Sequence, residues 1–156
     1  EVIRLSVGIE TAADLIRAGA VHEDARALIQ ESRPLNLLQL FSRASVRSKF
    51  DGQARILWSF LTAEDFIKTD RTPDDVSLVL ESLERTLPKP AAHVLLWQES
   101  GEASVRAMFS AAPPIMEKLR NQENGEMMSP YFKMSRVFPS FRSAEEHIHA
   151  LIQKAL

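Results

Sequence analysis

The chain of 156 residues contains no cysteine. It can therefore form no disulfide, no thiolate nucleophile and no cysteine-ligated zinc or iron–sulfur centre. It also lacks an apolar run of the roughly 18 residues that a membrane-spanning helix needs, and no signal peptide is recognisable. These absences suit a cytoplasmic protein with no membrane partner, which is the location we expect.

A strong net charge is also missing, since the formal charge is −2. No global field therefore draws the chain to nucleic acid or to an anionic membrane. Charge is nevertheless uneven, because residues 33–55 hold five basic residues against one acidic and residues 62–84 hold seven acidic against two basic. We expect two solvated faces that attract one another, and the alternative is a basic patch for phosphate or for a partner.

The apolar pattern predicts an α/β (α+β) protein with a mixed β-sheet of about four to five strands and flanking helices. A helical connector over residues 1–48 precedes an α/β unit over residues 49–156. The unit is predicted to contain a buried strand at 54–61, a helix from Thr72 to Leu87, adjacent strands at 92–98 and 103–110, a helix from Pro113, a strand at 131–138, and a last helix capped by Ser143.

Catalytic motifs are absent, since the sequence holds neither a P-loop nor a G-x-S-x-G nucleophile turn. Glu145 and His149 have the i, i+4 spacing of a metal pair, but we expect a solvated helix face. His93 lies in an apolar strand and is expected to be a core or edge residue. Two acidic pairs, Glu64-Asp65 and Asp74-Asp75, stand where helices begin and are expected to act as caps.

Residues 56–110 resemble the C-terminal accessory domain of DHH-family phosphoesterases, in the nanoRNase and pAp-phosphatase branch of RecJ-like proteins. The matching segments are Leu61-Thr62-x-Glu64-Asp65-Phe66, Thr72-x-Asp74-Asp75, Val94-Leu95-Leu96 and the strand from Ser104 to Ser110. Upstream, Thr11–Ala20 resembles the end of the family's catalytic domain and Pro34–Arg47 its linker helix. A shorter segment, Ile3–Glu10, resembles part of PLP-dependent transsulfuration enzymes, with no support downstream.

The sequence departs from the family pattern at the places where the family grips phosphate. Phe109 stands where the family's Ser-Leu-Arg-Ser-like strand has arginine. The Gly-Gly-Gly-His loop is expected near residues 122–130, where only Gly125 remains, in an Asn124-Gly125 turn. The Asp-His-His metal motif is missing altogether. These losses argue against tight nucleotide binding in the family's manner.

The resemblance implies an accessory, substrate-orienting module that is not catalytic by itself. The parent activity would be metal-dependent hydrolysis of short oligonucleotides or of pAp. No cofactor is expected in this chain. Mn or Mg is expected only if an upstream DHH domain exists. The sequence begins at Glu1 and not at methionine, which is compatible with such a domain. Residues expected to contact a nucleotide or short oligonucleotide are Arg106, Ser110, Asn124, Gly125 and Lys133.

Two other classes of function stay open. One is a non-catalytic interaction or dimerisation domain that has lost nucleotide binding and uses residues 34–48 or an exposed sheet edge. A homodimer would be its simplest form. The other is a complete small enzyme, which would need a metal site of its own.

Overall fold

The computed structural model describes residues 34–87, 90–99 and 104–156. Predictions made for residues 1–33, including the resemblances there, lie outside these ranges. The helices are α1 (Leu35–Val46), α2 (Ala63–Thr69), α3 (Val76–Thr86), α4 (Pro113–Gln122) and α5 (Phe141–Ala155), with a short 3₁₀ helix at Pro73–Asp75. The strands are β1 (Lys49–Asp51), β2 (Ile56–Leu61), β3 (Ala92–Gln98), β4 (Val105–Ala111), β5 (Gly125–Met128) and β6 (Tyr131–Met134).

The strands form one mixed sheet in the order β1-β2-β3-β4-β6-β5. Strands β2 and β3 are parallel and every other neighbouring pair is antiparallel. The predicted fold class is confirmed. The sheet has six strands in the described residues rather than four to five, because the short outer strands β1 and β5 were not predicted.

Helices cover both faces of the sheet, so there are two apolar layers. Helices α1, α2 and α3 cover one face, where Leu40, Leu80 and Trp97 are fully buried. Helices α4 and α5 cover the other, where Phe109 and Ile148 are buried. Strand β2 contributes side chains to both layers, as its doubly apolar sequence predicted.

Aspartate side chains cap the N-termini of α2 and of the 3₁₀ helix at Pro73–Asp75. The backbone N–H of Thr62 donates to Asp65 Oδ2 at 2.7 Å, and that of Thr72 donates to Asp75 Oδ2 at 3.2 Å. The capping roles predicted for these acids are confirmed. The last helix differs from its prediction, because Ser140, not Ser143, caps α5 and accepts a hydrogen bond from the Ser143 N–H.

Asp65 also joins α2 to α1. Its carboxylate accepts hydrogen bonds from Arg47, and Arg43 Nη1 lies 3.2 Å from Oδ1. The expected attraction between the basic segment 33–55 and the acidic segment 62–84 thus takes the form of ion pairs to Asp65, which is only 1% exposed. Burial alone would raise the pKa of Asp65, but the bonds from Arg47 and Thr62 outweigh it and hold the pKa at about 2.

The segment expected to be a remnant of the family's glycine loop is strand β5. Gly125 pairs with Met134 across β5 and β6 and does not form the predicted turn with Asn124. A Cβ at Gly125 would lie 2.4 Å from the Lys133 carbonyl oxygen and 2.4 Å from the Phe132 ring. Close approach of two strands therefore requires glycine here.

We expect Gly125→Ala to destabilise the protein by about 1–3 kcal/mol, because a backbone carbonyl cannot move aside as a flexible side chain can. Gly52→Ala is the matched control, since a Cβ there would meet only the Phe50 ring at 3.9 Å. Urea unfolding midpoints measure both. Equal midpoints for the two variants would contradict the packing argument.

Asp65 should make stability depend on pH in an acidic window. A carboxyl whose pKa is about 2 when folded and near 3.8 when unfolded stabilises the protein above pH 4. That contribution, on the order of 2 kcal/mol, is lost as the pH falls from about 4 towards 2. The unfolding free-energy difference between wild type and Asp65→Asn should therefore shrink as the pH is lowered from 6 to 3.

The exposed Asp74 of the next helix start supplies the control for this measurement. Asp74→Asn should give a small difference from wild type with little change over the same pH range. A difference for Asp65→Asn that stays constant from pH 6 to pH 3 would show that its carboxylate is not held by these bonds.

Candidate functional site

Four of the five residues predicted to contact nucleotide gather at one end of the sheet. Arg106 lies near the start of β4, Lys133 near the end of β6, and Asn124 and Gly125 at the start of β5. The register pairs Lys133 with both Met108 and Glu126. Because neighbouring antiparallel strands bring these ends side by side, the four residues lie together in one region, here called the β4–β6 end.

Arg106 and Lys133 lie on the same face of the sheet. Side chains alternate along a strand, so Arg106 shares its face with Met108, and Lys133 stands opposite Met108. Helices α1–α3 cover this face further along the strands, where Met108 is buried. The two cationic side chains thus border that apolar layer, each half-buried.

Each cation at the β4–β6 end already has a neighbour. Arg106 Nε lies 2.8 Å from Glu99 Oε1, and both side chains are less than one-third exposed. Lys133 Nζ stands 5.9 Å from the centre of the Trp97 ring, in the geometry of a cation–π contact. An incoming anion would therefore compete with Glu99 for Arg106, which predicts modest affinity.

The start of β5 supplies a backbone frame rather than a phosphate cradle. Asn124 is exposed, and its carbonyl accepts a hydrogen bond from the Ser135 N–H at 2.9 Å. Gly125 is held in the ladder by Met134. The backbone of Asn124 is thus held beside the end of β6, and its side chain is exposed.

Ser110 lies apart from the other four predicted residues. It is four residues along β4 from Arg106, which at about 3.3 Å per residue separates them by roughly 13 Å. Its hydroxyl donates a hydrogen bond to Glu84 of α3, and the Tyr131 hydroxyl donates to the same carboxylate at 3.1 Å. Burial, together with Glu84, raises the pKa of Tyr131.

Phe109, at the position of the family's arginine, points to the opposite face of the sheet from Arg106 and Ser110. It is 1% exposed and its ring centre lies 5.3 Å from that of Phe132. The side chain packs in the layer covered by α4 and α5. The residue that replaces the expected arginine is thus a core residue here.

Glu145 and His149 of α5 are half-buried and do not form the plain solvated face that was expected of them. His147 Nε2 lies 2.6 Å from Glu123 Oε1, and His149 Nε2 lies 3.1 Å from Asp51 Oδ2. They join the helix to the end of α4 and to β1. Within the described residues, no group of three or more histidine and carboxylate side chains is placed to hold a metal ion.

Sequence reasoning missed a buried polar chain that runs from α1 to β3. His93 Nε2 lies 3.1 Å from Ser59 Oγ, which lies 2.7 Å from Ser48 Oγ. The expectation of a core histidine is confirmed, because His93 is 2% exposed. In the sequence, the one sign of this contact is that Ser59 is a polar residue in an otherwise apolar strand.

In its fold, the chain is similar to part of a larger protein. The crystal structure of an exopolyphosphatase-related protein from Bacteroides fragilis matches with a TM-score of 0.69 and 12% sequence identity. The match covers 93% of this chain and 42% of that one, so this chain spans less than half of that protein's length. At such low identity the similarity establishes a shared fold. No protein-family model and no curated protein sequence matches the chain.

The described helices include none that is both long and apolar enough to cross a bilayer.

Proposed function

We propose that this chain is an accessory, substrate-orienting module of a DHH-family phosphoesterase-like protein. The observation that carries this proposal is the fold shared with part of an exopolyphosphatase-related protein. The order of strands and capped helices from residue 56 to residue 110, which resembles the nanoRNase and pAp-phosphatase branch, supports the finer assignment. Its substrates would be short oligonucleotides or pAp.

The β4–β6 end would hold a phosphate of such a substrate. Arg106 has a guanidinium that can donate two parallel hydrogen bonds to phosphate oxygens. Lys133 would add a second positive charge, and the exposed amide of Asn124 a neutral donor. Binding requires the phosphate to replace Glu99 at Arg106, since Glu99 now lies 2.8 Å from it.

Hydrolysis itself would belong to an upstream DHH domain, because the Asp-His-His motif is missing from this sequence. The family's reaction uses metal ions held by aspartates and histidines, and the described residues place no such cluster together. We therefore expect Mn or Mg only where such an upstream domain exists. The contribution of Arg106 and Lys133 would be to bind and orient the phosphate.

A second candidate function is an interaction or dimerisation domain. Several large apolar side chains are exposed on α1 and at the sheet edges: Leu35, Leu38, Val46, Phe50, Met127 and Met128. Strands β1 and β5 each have one side without a partner strand in the described residues. A dimer in light scattering, with no affinity for pAp or oligonucleotide, would favour this function.

Titration with pAp and with a five-nucleotide RNA tests the phosphate site. We expect Arg106→Ala to weaken binding about tenfold, because a hydrogen bond to a charged group contributes about 1.5–3 kcal/mol. Glu99→Gln should strengthen binding, because it removes the carboxylate that competes for Arg106. Affinity should fall steeply with salt. Calorimetry or fluorescence anisotropy measures each effect.

Arg142→Ala is the control for the loss of one arginine. Arg142 is 87% exposed on α5, which covers the opposite face of the sheet. The Arg142→Ala variant should bind pAp and the RNA with wild-type affinity. Wild-type affinity in Arg106→Ala, or equal losses in the two arginine variants, would remove Arg106 from the site.

A further inference from the structure

A cavity lies at the opposite end of β4 from Arg106. It has a volume of about 390 Å³, which is in the range of pockets for small organic ligands. Its polar walls are Glu84, His93 and Ser110, and its apolar walls are Pro90, Ala111 and Pro130. His93 and Ser110 stand directly opposite each other on β3 and β4. We call this space the His93 cavity.

His93 carries a buried polar atom without a partner. Its Nε2 contacts Ser59, but Nδ1 is buried and has no hydrogen-bond partner in the described residues. A buried polar atom without a partner is uncommon, and it costs free energy unless something bonds to it. His93 also lines the cavity, so a ligand there could bond to Nδ1 once the ring turns to open this buried nitrogen to the space.

The hydrogen bonds among Ser48, Ser59 and His93 determine whether Nδ1 is a donor or an acceptor. The Ser48 hydroxyl donates to the Ala44 carbonyl at 3.0 Å, since a carbonyl cannot donate. Its single proton is then used, so the 2.7 Å bond between the two serine hydroxyls is donated by Ser59. The proton of Ser59 is used in turn, so the 3.1 Å bond to His93 is donated by the Nε2–H.

Nδ1 of the neutral ring is therefore an acceptor. Burial favours the neutral ring, because it lowers the pKa of His93 to about 4. Glu84 adds a second acceptor, since its carboxylate receives the Ser110 and Tyr131 hydroxyls and keeps further lone pairs. The polar groups of the cavity thus include an imidazole acceptor and a carboxylate.

We propose that the His93 cavity binds a small ligand that presents adjacent N–H donors, such as a guanidinium group or the N–H edge of a guanine base. Two parallel N–H donors fit a carboxylate in a bidentate arrangement, and a further N–H can satisfy Nδ1. The proline and alanine walls would contact the planar faces of such a group. An anion is excluded, because Glu84 would repel it.

This cavity is independent of the proposed phosphate site. It lies at the other end of the strands and its charge has the opposite sign. It also gives Ser110 a role different from phosphate contact, since the Ser110 hydroxyl holds Glu84 in place. Failure of phosphate binding at Arg106 would leave this inference untouched, and the reverse is also true.

Nitrogen-15 NMR of the histidine rings in the wild-type chain tests the proposal without a mutation. The free protein should show His93 as the Nε2–H tautomer with an unprotonated Nδ1. Titration with methylguanidinium and, separately, with guanosine should shift the Nδ1 resonance towards that of a hydrogen-bonded acceptor. Binding of guanosine alone would point to a nucleobase, and binding of methylguanidinium alone to a small cation. Inorganic phosphate should leave the resonance unchanged.

Calorimetry with two matched variants measures the role of the carboxylate. Glu84→Gln keeps the size of the side chain and removes its charge, so the affinity for the probe that binds should fall at least tenfold. Glu117→Gln, at an exposed position of α4, should bind as wild type does. The proposal is overturned if neither probe binds, if His93 is the Nδ1–H tautomer, if phosphate shifts Nδ1, or if Glu84→Gln binds normally. The NMR result decides on its own if Glu84→Gln does not fold.

Discussion

The parallel pairing of β2 with β3 is the constraint on which the rest of the structure depends. Parallel neighbours cannot be joined by a tight turn, so the chain must leave the sheet between them. It does so through α2, the 3₁₀ helix at Pro73–Asp75 and α3, which then cover one face. Since β2 and β3 are buried on both sides, α4 and α5 must cover the other. Both apolar layers follow from that one pairing.

Strands β2 and β3 are buried on both faces, so a polar side chain on them needs a hydrogen-bond partner inside the protein. Ser59 on β2 bonds to His93 Nε2 on β3 and to Ser48 beside α1. Asp65, in the helix that follows β2, is held by Arg43 of α1 and by Arg47 just after α1. Arg106 and Ser110 stand near opposite ends of β4. The candidate phosphate site at Arg106 and Lys133 and the cavity at His93 therefore lie at opposite ends of the sheet.

The sequence predicted the elements whose signals are local. Apolar residues on both faces of β2, the Thr72-Pro73 helix start and the two strands around residue 100 were all recognisable from short windows. Strands β1 and β5 were missed because they have three and four residues and expose nearly all of their side chains. Their pairing depends on neighbours that lie elsewhere in the chain. Gly125 was predicted to lie in a turn, but the structure places it in β5 against the Lys133 carbonyl oxygen and the Phe132 ring.

By itself, the sequence determined the fold class, the capping residues Asp65 and Asp75, and the residue types available for chemistry. Those properties depend on contacts within about four residues or on the alternation of a single strand. Only the tertiary structure decided which polar groups meet. Asp65 meets Arg47 across 18 residues and His149 meets Asp51 across 98. It also separated Ser110 from Arg106 and placed it beside Glu84 instead. Such contacts depend on how the sheet and its helices pack in three dimensions, and no local pattern encodes them.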